Sequence, residues 1–299
     1  MNREEAKQII RDYHRNHRPT EEDFFMTTEA LRFLIEEDHD PDDMLHLGGM
    51  YYETKAFDLA EKYYLMAAET DPESEGAHGC LGYIYYYGRT GEPDYEKALY
   101  HFRKSADLGN LQSAYKVADM YKNGYGTIQD YDRYVQIIEE LWPQVSKAYY
   151  LNEPFPEVAT RLAGIRRKQG KSEEAISLYL RAKSFLAQRL QHDAFFGNFS
   201  IMKWLIRDLR ALLPFDPYDF DFYDLCEALR SPCRVTFYHK NKSYEVSSTG
   251  GEAPVITFQD LEFDGIDNFM QHAKINGRKI SDFAPDFYYF EYQENEDLK

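Results

Sequence analysis

The feature that most constrains the fold is an internal repeat. Residues 77–109 align with residues 113–140 at a single offset of 36 positions. The matched positions share small, apolar, glycine or tyrosine character, and they are Ala77 with Ser113, Leu81 with Val117, Gly82 with Ala118, Tyr85 with Tyr121, Gly88 with Gly124, and Asp94-Tyr95 with Asp130-Tyr131. Agreement at so many positions predicts that the chain repeats one structural unit.

A second pair of segments repeats a related pattern with a shorter internal loop. The first segment has apolar, small and tyrosine positions at helical spacing, which are Leu47, Gly48, Tyr51, Ala60, Tyr64 and Ala67. The second segment repeats that spacing at Leu162, Ala163, Arg166, Ala175, Tyr179 and Ala182. Residues three or four apart share a helix face, so each unit predicts two antiparallel helices with small residues where they cross. One such hairpin cannot bury its apolar faces alone, and we therefore expect the units to stack.

These residues resemble the tetratricopeptide repeat and its Sel1-like relative. The first and fourth units look like ordinary tetratricopeptide units, while the second resembles a Sel1-like unit closely through L-G-x-x-Y-x-x-G at 81–88. The third unit keeps its first helix and the turn at 124–130, but it departs from the pattern after Ile138. The resemblance covers about residues 40–185 and implies an α solenoid.

The sequence predicts three segments. Residues 1–40 are expected to form two helices, 3–15 and 21–37, that cap the array, with Thr20 and Asp23 at the start of the second. Residues 41–213 hold the repeats and further capping helices, with a break expected near Gly197-Asn198. The fold class is thus mostly α, a helical-hairpin solenoid followed by a small α+β domain at 214–299.

The α+β domain is predicted from a change of period. Val235, Phe237 and His239 alternate with polar residues, as in a strand whose one face is buried. Further strands are expected at 244–247, 255–258 and 287–292, and a short helix at 221–230. A second helix is expected at 265–274, with Asp264 as its cap and Asn276-Gly277 at its end.

Charge argues against nucleic acid and anionic membranes as partners. The chain has 35 basic and 52 acidic residues and a net charge of −17. Residues 144–213 are the exception, because they carry 12 basic and 6 acidic groups. The sequence has no apolar run long enough to span a membrane, and its charged beginning does not resemble a secretory signal. The chain has three cysteines, an odd number, which we interpret as reduced thiols. Together these features predict a cytoplasmic protein. The oligomeric state stays open.

The sequence contains no motif for catalysis. A P-loop, a G-x-G-x-x-G after a strand, G-x-S-x-G and H-E-x-x-H are all missing from the 299 residues. We therefore predict that the protein is not an enzyme and has no catalytic, cofactor or metal site.

The resemblance to tetratricopeptide arrays implies a binding groove lined by the first helix of each unit. Carried over by position, the groove residues are Tyr52, Tyr83, Tyr86, Tyr87, Tyr115, Asp119, Lys122, Asn123, Arg167 and Lys168. This groove would be aromatic and turn basic at one end. The competing interpretation is that these tyrosines pack against neighbouring helices or the C-terminal domain, as the repeat register predicts for Tyr85.

The predicted function is a non-enzymatic adaptor or scaffold that binds a peptide or helix of another protein in the groove. One alternative is an immunity or regulatory protein that binds a basic effector through its acidic surface or its C-terminal domain. An enzyme is a third alternative, which the missing motifs disfavour.

Overall fold

The chain forms two compact units, Met1–Gln144 and Val145–Lys299. The computed structural model describes residues 1–16, 19–148, 150–192, 196–213, 222–239, 242–280 and 288–294. The three segments predicted from the sequence have their boundaries elsewhere, after residues 40 and 213, and that division stays a prediction. Each unit is described by itself.

The first unit is built from consecutive helices, the first seven of which pack against one another in chain order. Their bounds are α1 Arg3–Arg15, α2 Glu21–Asp38, α3 Pro41–Glu53, α4 Phe57–Thr70, α5 Glu75–Tyr86, α6 Tyr95–Asp107, α7 Leu111–Asn123 and α8 Tyr131–Val145. Side-chain caps set several of these starts. At α2, Thr20 Oγ1 accepts a hydrogen bond from the Asp23 N–H, and the Asp23 carboxylate accepts one from the Thr20 N–H. This capping box confirms the predicted start, and the paired helices confirm the predicted fold class.

Small residues do lie where paired helices cross. A Cβ placed on Gly48 of α3 would come within 2.6 Å of the Tyr64 ring in α4, and one on Gly82 of α5 within 2.5 Å of the Phe102 ring in α6. Such approaches are too short for packed carbon atoms, so only glycine lets the second helix lie this close. Tyr64 and Phe102 are both buried, which confirms the crossing predicted from the repeat.

Neighbouring glycines of α3 provide a test of this crossing. Gly48→Ala is expected to lower the free energy of unfolding by about 1–3 kcal/mol, because the new methyl group overpacks the Tyr64 ring. Gly49→Ala is the matched control, since its Cβ would meet only the Tyr64 hydroxyl at 4.0 Å. It should stabilise the helix by about 0.5–1 kcal/mol through higher helix propensity. Urea titrations followed by circular dichroism measure both changes, and equal effects of the two substitutions would contradict the crossing.

The second unit contains helices and an antiparallel sheet. Its helices are α9 Phe155–Lys168, α10 Ser172–His192, α11 Phe196–Arg210, α12 Phe222–Ala228 and α13 Ile266–His272. Its strands are β1 Cys233–His239, β2 Lys242–Ser248, β3 Val255–Phe258, β4 Leu261–Asp264, β5 Lys274–Ile275, β6 Arg278–Lys279 and β7 Tyr288–Glu294. Five strands form one sheet in the order β4-β3-β2-β1-β7, and β5 pairs with β6.

One face of the five-stranded sheet is the core of this α+β region. Val235, Phe237, Val246, Ile256, Phe258 and Phe263 pack with Leu225 and Leu229 of α12 and Phe269 of α13. The opposite face carries polar, partly exposed residues, as expected for an antiparallel sheet covered on one side. The alternation predicted for β1 is confirmed by its burial.

The helix boundary predicted near Gly197-Asn198 lies slightly earlier in the chain, because α10 ends at His192, α11 begins at Phe196, and both residues belong to α11. Two other local predictions were wrong. Asp264 ends β4, and the residue before α13 is Gly265, which makes no side-chain cap. Asn276 and Gly277 form the turn between β5 and β6, where their positive φ angles suit a tight hairpin. Both errors concern short elements, whose few residues give only a weak helical or strand period.

Candidate functional site

The tyrosines of α5 divide into a buried and a partly exposed set. Successive side chains of a helix point about 100° apart. Tyr85 is only 9% exposed and contributes to the core, as the repeat register predicts. Tyr83 and Tyr87 lie one turn apart, and their rings stack with centroids 6.2 Å apart. Tyr86 meets the Tyr87 ring edge-on at 5.0 Å, so three rings form one cluster.

Residues from three successive repeats complete a site that we call the tyrosine surface. It consists of Tyr52, Tyr83, Tyr86 and Tyr87, together with Arg89 and Lys116. Tyr52 comes from α3, Arg89 follows α5, and Lys116 belongs to α7. The structure thus brings together the four tyrosines predicted from the first two units.

Arg89 is held among aromatic rings. Its guanidinium carbon lies 5.0 Å from the centroid of Tyr87, 5.1 Å from that of Phe57 and 5.8 Å from that of Tyr52. Its Nε–H also donates a hydrogen bond to the Tyr52 hydroxyl, 3.3 Å away. These contacts link the first repeat to the second through a cation.

Lys116, on α7 of the third repeat, is also surrounded by aromatic rings. Its ammonium nitrogen lies between 5.3 and 5.8 Å from the ring centroids of Tyr83, Tyr86, Tyr87 and Tyr115. Both cations therefore contact the Tyr87 ring. Tyr87 is 47% exposed, which leaves much of its ring accessible at the centre of the cluster.

Burial and nearby charges raise the pKa values of the Tyr86 and Tyr87 hydroxyls, which are therefore protonated at neutral pH. Burial, Asp119 and the neighbouring tyrosines raise the pKa of Tyr86 to about 12. Burial, Tyr52 and Asp119 also raise the pKa of Tyr87, while Arg89 opposes this shift. Neutral phenols both donate and accept hydrogen bonds, so the surface offers polar tips on apolar rings.

The tyrosine surface rests on packed aromatic residues. The Tyr83 ring meets Phe102 edge-on at 5.1 Å, and Tyr86 contacts Tyr95 at 5.7 Å and Tyr125 at 6.2 Å. Tyr83 and Tyr86 thus also serve as packing residues, as the competing interpretation expected. Tyr52 and Tyr87 are better probes of binding, because their rings contact Phe57, Tyr83 and Tyr86 instead of these supporting rings.

The other predicted groove residues of the first unit are not members of the tyrosine surface, although Tyr115 and Asp119 lie next to it. Tyr115 is buried, with 8% exposure, and touches the site only through Lys116. Lys122 lies over the Tyr134 ring of α8, with its ammonium 5.2 Å from the centroid. Asn123 is exposed at the last position of α7, while Asp119 lies close enough to influence the pKa values of Tyr86 and Tyr87.

The two predicted basic residues belong to the second unit. Arg167 forms an ion pair with Asp208 of α11, with 3.6 Å between Nη2 and Oδ2. Lys168 is exposed at the end of α9. A groove that turns basic at one end therefore stays a prediction.

Sequence reasoning missed Arg89 and Lys116, the two cations of the tyrosine surface. Lys116 precedes Asp119 by three positions on α7, so helical spacing alone could have placed both on one face. Arg89 lies in the turn after α5, where the helical period gives no information about side-chain direction. Only its contacts with Tyr52 and Phe57, which are distant in the chain, show that it belongs to the site.

Neither a metal-binding group nor a membrane-spanning helix is found among the described residues. In that part of the chain, no three His, Cys, Asp or Glu side chains are grouped so that they could hold a metal ion. None of the helices described is both long and apolar enough to cross a bilayer. The predictions of no cofactor and no enzymatic activity remain predictions.

Comparisons with known proteins agree with the repeat pattern. The Sel1 repeat family model matches residues 44–70, 81–110 and 111–133. Protein NMB1327 of Neisseria meningitidis serogroup B, named as uncharacterized, is 30% identical over 132 residues, 42% of this chain. The chain spans about a quarter of that curated relative, since the match covers 28% of its length.

Solved structures of low sequence identity show partial similarity. A Sel1 repeat protein from Oxalobacter formigenes is 22% identical, with a TM-score of 0.46 over 60% of this chain and 67% of that chain. YrrB, described as a TPR protein with an unusual peptide-binding site, is 17% identical, with a TM-score of 0.40 over 62% of this chain and 94% of its own. The repeat spacing, the glycine-mediated crossings and the family match together show that the first unit contains three Sel1 repeats within residues 44–133.

Proposed function

We propose that the protein is a non-enzymatic adaptor that binds a segment of another protein, an extended peptide or a helix, at the tyrosine surface. The observation that carries this proposal is the cluster of partly exposed tyrosine rings around Tyr87, in contact with Arg89 and Lys116. Sel1 repeats generally act as protein–protein interaction modules, which supports the proposal.

The chemistry of the tyrosine surface suits such binding. A tyrosine ring gives a large contact area with few rotatable bonds, so little conformational entropy is lost when a partner covers it. Its hydroxyl satisfies polar groups of the partner at the edge of the contact. Aromatic residues and arginine also carry a large share of the free energy in many protein interfaces. A ring such as Tyr87, supported by neighbouring rings, is therefore a suitable anchor.

Cytoplasmic localisation is part of the proposal. Cys80, Cys226 and Cys233 carry thiols rather than disulfides, and Cys226 and Cys233 are buried. Burial raises the pKa of the Cys80 and Cys233 thiols, which makes their reactive thiolate forms rare at neutral pH. Buried, reduced thiols are common in the reducing cytosol.

The proposal is tested with a random peptide library displayed on phage and selected on the full chain. Selected peptides are synthesised, and their affinity is measured by fluorescence anisotropy. Tyr87→Ala is expected to weaken binding by at least about tenfold, which is the loss typical of an aromatic anchor. Tyr52→Ala should weaken it in the same direction.

Tyr100→Ala is the matched control, because Tyr100 is 55% exposed on α6 and does not belong to the tyrosine surface. It should leave the affinity unchanged, and thermal melting verifies that each variant is folded. Peptides that bind all three variants equally would contradict the proposal. If such peptides were rich in lysine and arginine, they would support the alternative in which the acidic chain regulates a basic effector.

A further inference from the structure

We propose that the tyrosine surface selects an acidic segment of its partner, in which two carboxylates meet Arg89 and Lys116 next to the Tyr87 ring. This inference rests on the proposed function and specifies the chemistry of the partner. It also places the positive charge at Arg89 and Lys116, whereas the sequence predicted a groove that turns basic at one end.

The Arg89 side chain is already ordered for binding. Three aromatic rings and the Tyr52 hydroxyl hold its guanidinium, although the residue is exposed to solvent. Contact with a ring face leaves N–H groups at the edge of the guanidinium directed outward, where a carboxylate can accept two parallel hydrogen bonds. Because the rings restrict the side chain beforehand, binding loses less side-chain entropy than it would at an unrestrained arginine.

Lys116 supplies the second positive charge from the next repeat. Its ammonium contacts four rings, three of which belong to the tyrosine surface. An ammonium carries three N–H donors and no acceptor, so it favours anionic or carbonyl oxygens. The neutral hydroxyls of Tyr86 and Tyr87 add donors to the same region.

The distance between the two cations limits the spacing of the partner's carboxylates. The Arg89 Cζ lies 5.0 Å and the Lys116 Nζ 5.8 Å from the same Tyr87 centroid, so their separation cannot exceed the sum of these distances, 10.8 Å. An extended chain advances about 3.3 Å per residue. Acidic residues no more than about three positions apart therefore fit both cations.

The surrounding charge makes this surface selective. Residues 47–143 hold 16 acidic and 9 basic side chains, so most of this region repels an acidic segment. At the tyrosine surface both cations contact the Tyr87 ring, and Asp119 acts on Tyr86 and Tyr87. Binding of an acidic segment is thereby directed to one place, and its affinity should fall as salt is added.

The experiment uses the phage-selected peptides and the full chain. Asp and Glu are expected to be enriched in the selected peptides, no more than about three positions apart. Lys116→Gln and Arg89→Gln should each weaken binding about ten- to hundredfold, the range for loss of a charge-assisted hydrogen bond. Asp119→Asn should strengthen it, because it removes the negative charge from the site.

Lys62→Gln is the matched control, since the Lys62 ammonium lies 5.4 Å from the Tyr63 centroid in a similar cation–ring contact outside the tyrosine surface. It should not change the affinity. Peptides that need Tyr87 but bind equally well after their acids are replaced by amides would overturn the inference and leave the proposed function standing. Enrichment of basic peptides that bind more weakly after Asp119→Asn would also overturn it. Failure to select any peptide that depends on Tyr87 would contradict the proposed function itself.

Discussion

Replacing Asp224 by asparagine is expected to lower the free energy of unfolding of the second unit by about 3–5 kcal/mol. The Asp224 side chain is fully buried in α12, and its carboxylate joins three helices. Lys183 Nζ of α10 lies 2.5 Å from Oδ2, and Arg210 Nε and Nη2 of α11 each lie 3.0 Å from Oδ1. An amide retains the shape but loses the charge, which leaves two largely buried cations without the carboxylate that they share.

The measurement is a urea titration in a Trp142→Phe background, in which Trp204 of α11 reports on the second unit. Glu227→Gln is the matched control on the same helix, because Glu227 pairs with the partly exposed Arg230 at 2.9 Å. It should change the unfolding free energy by less than about 1 kcal/mol. Adding Lys183→Met to Asp224→Asn should recover part of the loss, since it removes one buried charge. A loss no larger than that of the control would show that the cluster does not stabilise the unit.

The second large effect is a loss of stability on acidification, caused by a buried histidine pair between α5 and α6. His78 of α5 and His101 of α6 lie with their Nδ1 atoms 2.9 Å apart, and they are 5% and 9% exposed. The His78 Nε2 lies 3.2 Å from the Pro72 carbonyl oxygen, which can only accept, so Nε2 carries the proton. The neutral His78 Nδ1 then accepts a hydrogen bond from the His101 Nδ1–H.

His101 resists protonation in the folded chain. Burial, then His78, then Lys97 lower its pKa from 6.5 to about 4. Above pH 6.5 the residue is neutral in both the folded and the unfolded chain and has no effect on pH dependence. Between pH 6.5 and about 4 the unfolded chain takes up a proton that the folded chain does not, so stability falls as the pH falls.

His101→Gln is the variant that tests this linkage, because its amide can still donate to His78 but does not titrate. The unfolding free energy of the wild type relative to this variant is expected to fall by about 1.4 kcal/mol for each pH unit below 6.5, to at most about 3 kcal/mol. Carboxylates titrate in both proteins, so their contributions cancel in the difference. Parallel stability curves for the two proteins between pH 7 and pH 4 would contradict the assignment.

The repeat pattern predicted the helical hairpins well because their determinants are local. Gly48 and Gly82 lie at the positions where only a small residue lets two helices approach, and the spacing to Tyr64 and Phe102 follows from the helix period. The same period distinguished the buried Tyr85 from its neighbours. The sheet was predicted less completely, since β4 has four residues and β5 and β6 have two each, which is too few to give a clear strand period.

The candidate site was predicted only in part. The four tyrosines of the first two repeats could be found from the register, whereas Tyr115 proved to be buried and Lys122 packs on Tyr134. The sequence showed which helix face these residues occupy, but not which neighbouring helix covers that face.

From the sequence alone follow the helical repeats, the glycine crossings and the surplus of acid, because helix period, residue size and charge are properties of the chain itself. Tertiary structure decided where charge is concentrated. Arg89 and Lys116 meet at Tyr87 although Lys116 belongs to α7 of the next repeat, and Asp224 meets Lys183 across 41 positions. Such contacts depend on how packed helices are oriented and on which charges remain shielded from water, and neither is encoded in local spacing.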